Sequence, residues 1–273
     1  MSDKRILINL ANQLGIDHSK IIVNDDRVYS KVLRYRNLGM GEAYVDSWWD
    51  HPELDKLFYQ IKRKQADKKL ELSWWMQMRV IFLYLLSFFI NFQSLDRSKE
   101  VGIKHYNLGN SFFEQMLDPR MIYSCAYFGP DNSIRTLEEA QLAKMDLICR
   151  KVRLKKGMTV LDIGCGWGGF ASYAAKEYEV EVTGITISKE QLNYAIKHNK
   201  VDEKYSRTNF LLLDYRKLLN DKNNYQKYDS VISIGMLEHV GSQNYRTFMK
   251  VADYVLKDPG LCLVHTISGS KTR

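Results

Sequence analysis

The sequence predicts a doubly wound α/β sheet preceded by a small, mostly helical domain. Three observations carry this. From Thr159 onward, short apolar runs alternate with helical patterns, which calls for a parallel sheet with helices on both faces. The first of those runs ends in a glycine-rich turn at a helix start. Residues 1–72 show helical spacing broken by short turns instead. A chain of 273 residues is long enough to bury a core in each part.

In the first region, residues 6–14 have helical spacing and Gly15 is placed to cap the end. Ile21 to Val23 reads as a short strand before the turn Asn24-Asp25-Asp26, and Val28 to Tyr35 as a helix. Gly39-Met40-Gly41 is expected to break the chain before the aromatic pair Trp48-Trp49. After Pro52, Leu54, Leu57, Phe58 and Ile61 mark another helix. This region, residues 1–72, carries no catalytic constellation and is read as a lipid- or partner-associated domain.

Residues 73–104 are read as a linker helix. A basic cluster (Lys62, Arg63, Lys64, Lys68, Lys69) precedes an apolar run from Trp74 to Phe92, close to the length of a spanning helix. Gln77, Arg79, Ser87 and Asn91 interrupt the run. A buried helix joining two domains is the first reading, a helix lying on a lipid surface beside the basic patch the second, and a membrane span the third.

The remaining residues, 105–273, open with His105-Tyr-Asn-Leu-Gly-Asn110 and a helical face at Phe112, Phe113, Met116 and Leu117, ended by Pro119. The segment Tyr123–Phe128 is aromatic-rich. Thr136 and Glu139 are spaced for a capping box on a helix through Cys149. Strands are then expected at 159–163, 181–187, 209–213, 230–234 and 261–267. Helices are expected at 170–177, 189–199, 216–219 and 245–256. In such a fold, ligands bind at the carboxyl ends of the strands, near the point where strand order reverses.

That point falls at Asp162-Ile-Gly164-Cys-Gly166-Trp-Gly168-Gly169. Glycines allow a tight turn and close backbone approach, and a helix start offers free N–H donors. An acid two residues before the first glycine, with glycines at alternate positions, looks more like an S-adenosylmethionine site than a dinucleotide site. No acid ends the second strand, so Thr186, Ser188 and Gln191 are candidates to hydrogen-bond a ribose. Ser188 with Gln191 reads equally as a capping box. Asp214 and Tyr215 at the third strand's tip can meet a purine, by accepting from an amine and by stacking. Glu238 follows the fourth strand and His265 lies near the end of the fifth, a plausible acid/base pair.

Composition narrows the partners. Forty Lys and Arg against 32 Asp and Glu leave a net charge of +8, which favours an anionic partner, nucleic acid or a membrane surface. An Asn/Asp-Pro-Pro-Tyr motif after the fourth strand would indicate methylation of a nucleic-acid base; its absence disfavours nucleic acid. Four scattered cysteines without C-x-x-C spacing read as reduced intracellular thiols, neither a disulfide frame nor a metal site. The first residues lack the apolar core of a signal peptide.

Six motifs in order carry a family resemblance: His105-Tyr-x-Leu-Gly-Asn, Tyr123-Ser-Cys-Ala-Tyr-Phe, Leu161-Asp-Ile-Gly-Cys-Gly-Trp-Gly-Gly, Gly184-Ile-Thr-Ile-Ser-x-Glu-Gln, Met236-x-Glu-His-Val-Gly and His265-Thr-Ile. Together they resemble the cyclopropane-fatty-acyl-phospholipid synthases, and the mycolic acid cyclopropane synthases share the later motifs. The first region resembles the family's N-terminal domain through Arg27-Val-Tyr, Gly39-Met-Gly-Glu-x-Tyr and Trp48-Trp49. The resemblance implies a Rossmann-like class I S-adenosylmethionine-dependent methyltransferase fold. It implies transfer of a methylene from S-adenosylmethionine to a cis double bond of a phospholipid acyl chain, forming a cyclopropane ring with bound bicarbonate as base and no metal. Cys125, Glu238, His265 and Ile267 match positions around that bicarbonate. Tyr123, Ser124, Gly164, Gly166, Gly168, Thr186, Ser188, Gln191, Asp214 and Tyr215 match cofactor contacts. Tyr106, Tyr127 and Phe128 are candidates to stabilise a cation in a lipid-facing pocket.

The implied partners are unsaturated phospholipid chains at an anionic membrane surface, with the protein cytoplasmic and peripherally bound to the inner face. The family continues for on the order of 100 residues past the position of Arg273, roughly the size of a small domain. The sheet is therefore expected to be C-terminally incomplete, without its last two strands and without a Tyr and a Cys of the active site, which would impair activity. An exposed fifth-strand edge favours association, a homodimer among the options. The alternatives are a methyltransferase of a soluble small molecule and an inactive lipid-binding or partner subunit.

Overall fold

The computed structural model describes residues 3–64, 78, 109–131, 133–198 and 207–268. The expected linker helix, Tyr106 and the segment beyond Ser268 lie outside these residues. The chain divides into two compact units, Met1–Ile90 and Asn91–Arg273.

In the first unit, helix α1 (Asp3–Gln13), strand β1 (Ile22–Val23), helix α2 (Arg27–Val45), strand β2 (Trp49–Asp50) and helix α3 (Leu54–Arg63) enclose a small core. Ile16, Val28, Ala43, Trp49 and Leu57 are buried in it. Strands β1 and β2 pair antiparallel, Ile22 with Asp50 and Val23 with Trp49. The Trp49 indole donates to the Met40 carbonyl at 2.9 Å, fixing the ring as it is buried. The expected break at Gly39–Gly41 is not there. Helix α2 runs through it and kinks at Arg36, where φ is 54° and ψ −128°. Gly39 serves close approach instead: a Cβ would overlap the Lys31 carbonyl.

The second unit opens with helix α4 (Asn110–Met116) and helix α5 (Leu137–Lys151). Thr136 and Glu139 form the expected capping box on α5. Its inward residues Met145, Ile148 and Cys149 pack on the sheet.

The rest alternates strand and helix. Strand β3 (Thr159–Ile163) leads to helix α6 (Gly169–Glu177), and strand β4 (Glu181–Thr186) to helix α7 (Lys189–His198). Strand β5 (Thr208–Leu212) runs into a 3-10 turn over Tyr215–Asn220. Strand β6 (Tyr228–Ile234) precedes the short helix α8 (Leu237–Val240), helix α9 (Tyr245–Val255) and strand β7 (Leu256–His265). The order is β5-β4-β3-β6-β7, all parallel. Strand β3 alternates between the layers: Val160 joins the core beneath α5 and α6, while Leu161 and Ile163 join the one beneath α9.

The last strand begins earlier than the sequence suggests, at Leu256 instead of Leu261, and runs through Pro259. Pro259 falls in the irregular stretch between the Tyr228–Leu256 and Ser230–Leu261 pairs, where a residue without an N–H costs no register pair. The weak helix expected at 216–219 is the 3-10 turn.

Candidate functional site

Strand order reverses at β3, since β4 lies on one side and β6 on the other. A cavity of about 580 Å³ opens at the carboxyl ends of these strands, within the size range of small-molecule sites. Its floor is the glycine turn, where Gly164, Gly166 and Gly168 all have positive φ. Space beside Gly166 is open within 4 Å of where a Cβ would stand. The turn is anchored by Trp167, which also lines the cavity; its indole donates to Asn110 Oδ1 at 2.8 Å and its ring packs on Phe113.

Asp162 borders this floor at 2% exposure, and its Oδ2 has no partner among the described residues. Burial raises its pKa to about 7. A buried acceptor beside an open glycine turn is a docking point for a donor-bearing or cationic group. The site therefore fits the amino-acid end of S-adenosylmethionine.

The side wall is a closed polar relay. Thr186 Oγ1 donates to Gln191 Oε1 at 2.9 Å and accepts from the Ser188 N–H at 3.2 Å, while Ser188 Oγ accepts from the Gln191 N–H at 3.3 Å. Ser188 is thus a helix cap. The expected capping box is only half made, because Thr186 takes the bonds that would complete it. Of the three, Thr186 and Gln191 line the cavity.

Asp214 and Tyr215, the residues expected to meet a purine, both line the cavity, and each is also held by a neighbour. The Asp214 carboxylate is held by Arg216, at 2.9 Å to Nε and 2.6 Å to a terminal nitrogen. The Tyr215 ring is 6% exposed and packs edge-on against Phe248 in the core. It forms cavity wall as well as making that core contact.

The opposite corner gathers residues from three distant segments. Cys125 Sγ lies 3.6 Å from His265 Nε2. Glu238, on α8, accepts the Ile267 N–H at 2.7 Å. Cys125 thus pairs with His265 and Glu238 with Ile267, while Glu238 and His265 line the same cavity. Burial pushes the Glu238 carboxyl up, but hydrogen bonds from Ile267, its own backbone and Thr266 outweigh it and hold the pKa below its ordinary value. Burial, then the nearby Lys144 charge, hold the His265 pKa down against the pull of Glu238. Its Nδ1 is buried without a partner among the described residues.

Tyr123, Ser124 and Cys125 come to the cavity on one strip that helix α5 props from behind. Gln141 donates to the Ser124 carbonyl at 2.9 Å and Lys144 to Ser124 Oγ at 2.7 Å. Sequence reasoning missed both residues. The available signal was two polar residues three apart on the buried stripe of an otherwise apolar helix face. Tyr123 stands half out of the wall, edge-on to Phe113 and Trp167. Tyr127 and Phe128 are exposed and do not line the cavity. Among the described residues no His, Cys, Asp or Glu cluster could hold a metal ion, and no helix is long and apolar enough to cross a membrane.

A doubly wound parallel sheet with its ligand cavity at a glycine turn after the central strand defines a class I S-adenosylmethionine-dependent methyltransferase fold. The crystal structure of mycolic acid cyclopropane synthase CmaA1 complexed with SAH and CTAB superposes with a TM-score of 0.55 at 39% identity, over 62% of this chain and 57% of that one. The sequence profile of the family described as mycolic acid cyclopropane synthetase matches residues 93–273, and the chain belongs to that family. It is 41% identical over 273 residues to the cyclopropane-fatty-acyl-phospholipid synthase of Escherichia coli (strain K12), which covers 98% of this chain and 67% of that protein. It is 40% identical over 165 residues to cyclopropane mycolic acid synthase 1 of Mycobacterium tuberculosis, over 60% of this chain and 55% of that one.

Proposed function

We propose that this chain is the cofactor-binding and catalytic part of an S-adenosylmethionine-dependent cyclopropane synthase acting on cis double bonds of unsaturated phospholipid acyl chains. The observation that carries the reading is the convergence, in one cavity, of the glycine turn and orphaned Asp162 with Cys125, Glu238, His265 and Ile267. Family membership and the whole-chain similarity to the Escherichia coli synthase support the choice of substrate class.

S-adenosylmethionine, when bound, supplies the electrophilic carbon that becomes the ring methylene, and bicarbonate supplies the base. Asp162, the N–H groups around Gly166, Thr186 and Gln191 are the residues to hold the cofactor. The corner suits bicarbonate chemically. Glu238, ionised at neutral pH, can accept from an O–H. The Cys125 thiol and a neutral His265 can each donate or accept. No strong nucleophile is needed there, and a cationic lipid chain would be trapped by one.

The net charge of +8 suits an anionic lipid surface and supports a peripheral association with the cytoplasmic face of the membrane. Residues 1–72, with the linker 73–104, are assigned to lipid or partner association and residues 105–273 to chemistry. The test is incubation with S-adenosylmethionine and vesicles of cis-unsaturated anionic phospholipid, followed by mass spectrometry of the acyl chains. A gain of one methylene with loss of the double bond is expected. Methyl transfer to a soluble acceptor without vesicle binding would sink the proposal in favour of a small-molecule methyltransferase. Vesicle binding without cofactor affinity would favour an inactive lipid-binding subunit.

A further inference from the structure

Behind the strip that carries Cys125 lies a cation that does not itself line the cavity. Lys144 is 4% exposed, and its ammonium donates to Ser124 Oγ at 2.7 Å. Among the described residues no carboxylate is within ion-pair distance of it. Asp118, an acid whose charge it feels, already accepts the N–H groups of Arg120 and Ile122. Burial lowers the lysine's pKa to about 8, with Cys125 and Asp118 opposing, so it remains charged at neutral pH.

The corner in front of it has a charge problem. Glu238 is ionised there, and an oxyanion beside it adds a second negative charge. Among the described residues no lysine lines the cavity, and Arg216 is engaged by Asp214. His265 is held toward its neutral form. Ser124 does line the cavity. Because its oxygen accepts from Lys144, its own O–H is left to donate elsewhere, and that donor is polarised by the lysine behind it.

We propose that Lys144 is a positioning residue whose buried charge, relayed through the Ser124 hydroxyl, makes the Cys125–Glu238–His265 corner receptive to a small oxyanion. This rests on the bicarbonate assigned to that corner above. It assigns to the propping helix an electrostatic task besides its mechanical one.

The test reads the local potential directly at Cys125. The ratio of alkylation rates by anionic iodoacetate and neutral iodoacetamide is measured by peptide mass spectrometry, with exposed Cys262 as internal reference. Binding of 13C-bicarbonate is followed by NMR and of S-adenosylhomocysteine by calorimetry. K144M and K144Q keep a side chain of similar length and remove a buried charge that has no carboxylate partner among the described residues, which relieves its desolvation cost, so they are the variants. Each should lower the Cys125 ratio by about fivefold, as expected for removing one charge at short range through a partly screened medium. Each should weaken bicarbonate binding by a similar factor and leave S-adenosylhomocysteine affinity within about threefold, the ratio at Cys262 being unchanged. An unchanged Cys125 ratio in a folded variant would overturn the proposal. So would unfolding of both variants, which would assign the lysine to stability. If wild type binds no bicarbonate while the ratio still falls, the lysine's role stands and the bicarbonate reading fails.

Discussion

Replacing Asp162 by Asn should make the ligand-free protein more stable at pH 8 while weakening its hold on the cofactor. The carboxyl is buried, one oxygen lacks a partner, and burial moves its pKa from 3.8 to about 7. The folded protein therefore holds this proton more tightly than the unfolded chain does. The contribution is fully present below pH 3.8 and is lost as pH rises through 7. A shift of that size costs about 4 kcal/mol at pH 8, of which more than half is lost between pH 5 and pH 8. Asparagine has no charge to bury, so the D162N variant should lack this part of the slope, all other titrating groups being common to both proteins. Urea melts of wild type and D162N at pH 5 and pH 8 measure the difference. At pH 8 the variant should be the more stable by a few kcal/mol, and calorimetry should show weaker S-adenosylhomocysteine binding. Equal pH slopes in the two proteins would refute the reasoning, since Asp162 would then not be a desolvated acid in the free cavity.

Four further outcomes follow from the same geometry. In G169A the new methyl would overlap the Arg120 carbonyl oxygen and fall 2.7 Å from Ile122 Cδ1; overpacking of that kind costs about 1–3 kcal/mol and should displace the Tyr123–Cys125 strip, lowering both melting temperature and cofactor affinity. The G166A methyl meets open space at φ +55°, so strain of about 1 kcal/mol is expected, with lost affinity as the larger effect. Removing the α5 cap with T136A should cost about 1 kcal/mol in a denaturant melt and leave S-adenosylhomocysteine affinity unchanged. E238Q keeps an acceptor for the Ile267 N–H but loses the charge; cyclopropane formation should fall about 100-fold or more, with cofactor affinity nearly unaltered.

The sequence by itself determined the sheet, its glycine turn and the helices that follow it. Those signals are local: apolar runs of strand length, positive-φ glycines, and a threonine three residues before a glutamate. The motifs also carried the family, because their order survives whatever the chain does between them. Pairings were another matter. Nothing local says that His265 meets Cys125, because their 140 residues of separation are closed only when β7 docks on β6. Tyr215 reads as an aromatic at a strand tip; that it also packs into the core beneath α9 is a matter of the fold. Gly39 reads as a break, yet the kink falls at Arg36, since the glycine is used where two backbones meet. Lys144 shows the limit most plainly. In sequence it is one charge on a helix; only the fold removes its water, leaves it a single serine and sets it behind the candidate site. Burial and partner choice are properties of the whole packing, and they decide which of the residues foreseen as chemical can do chemistry.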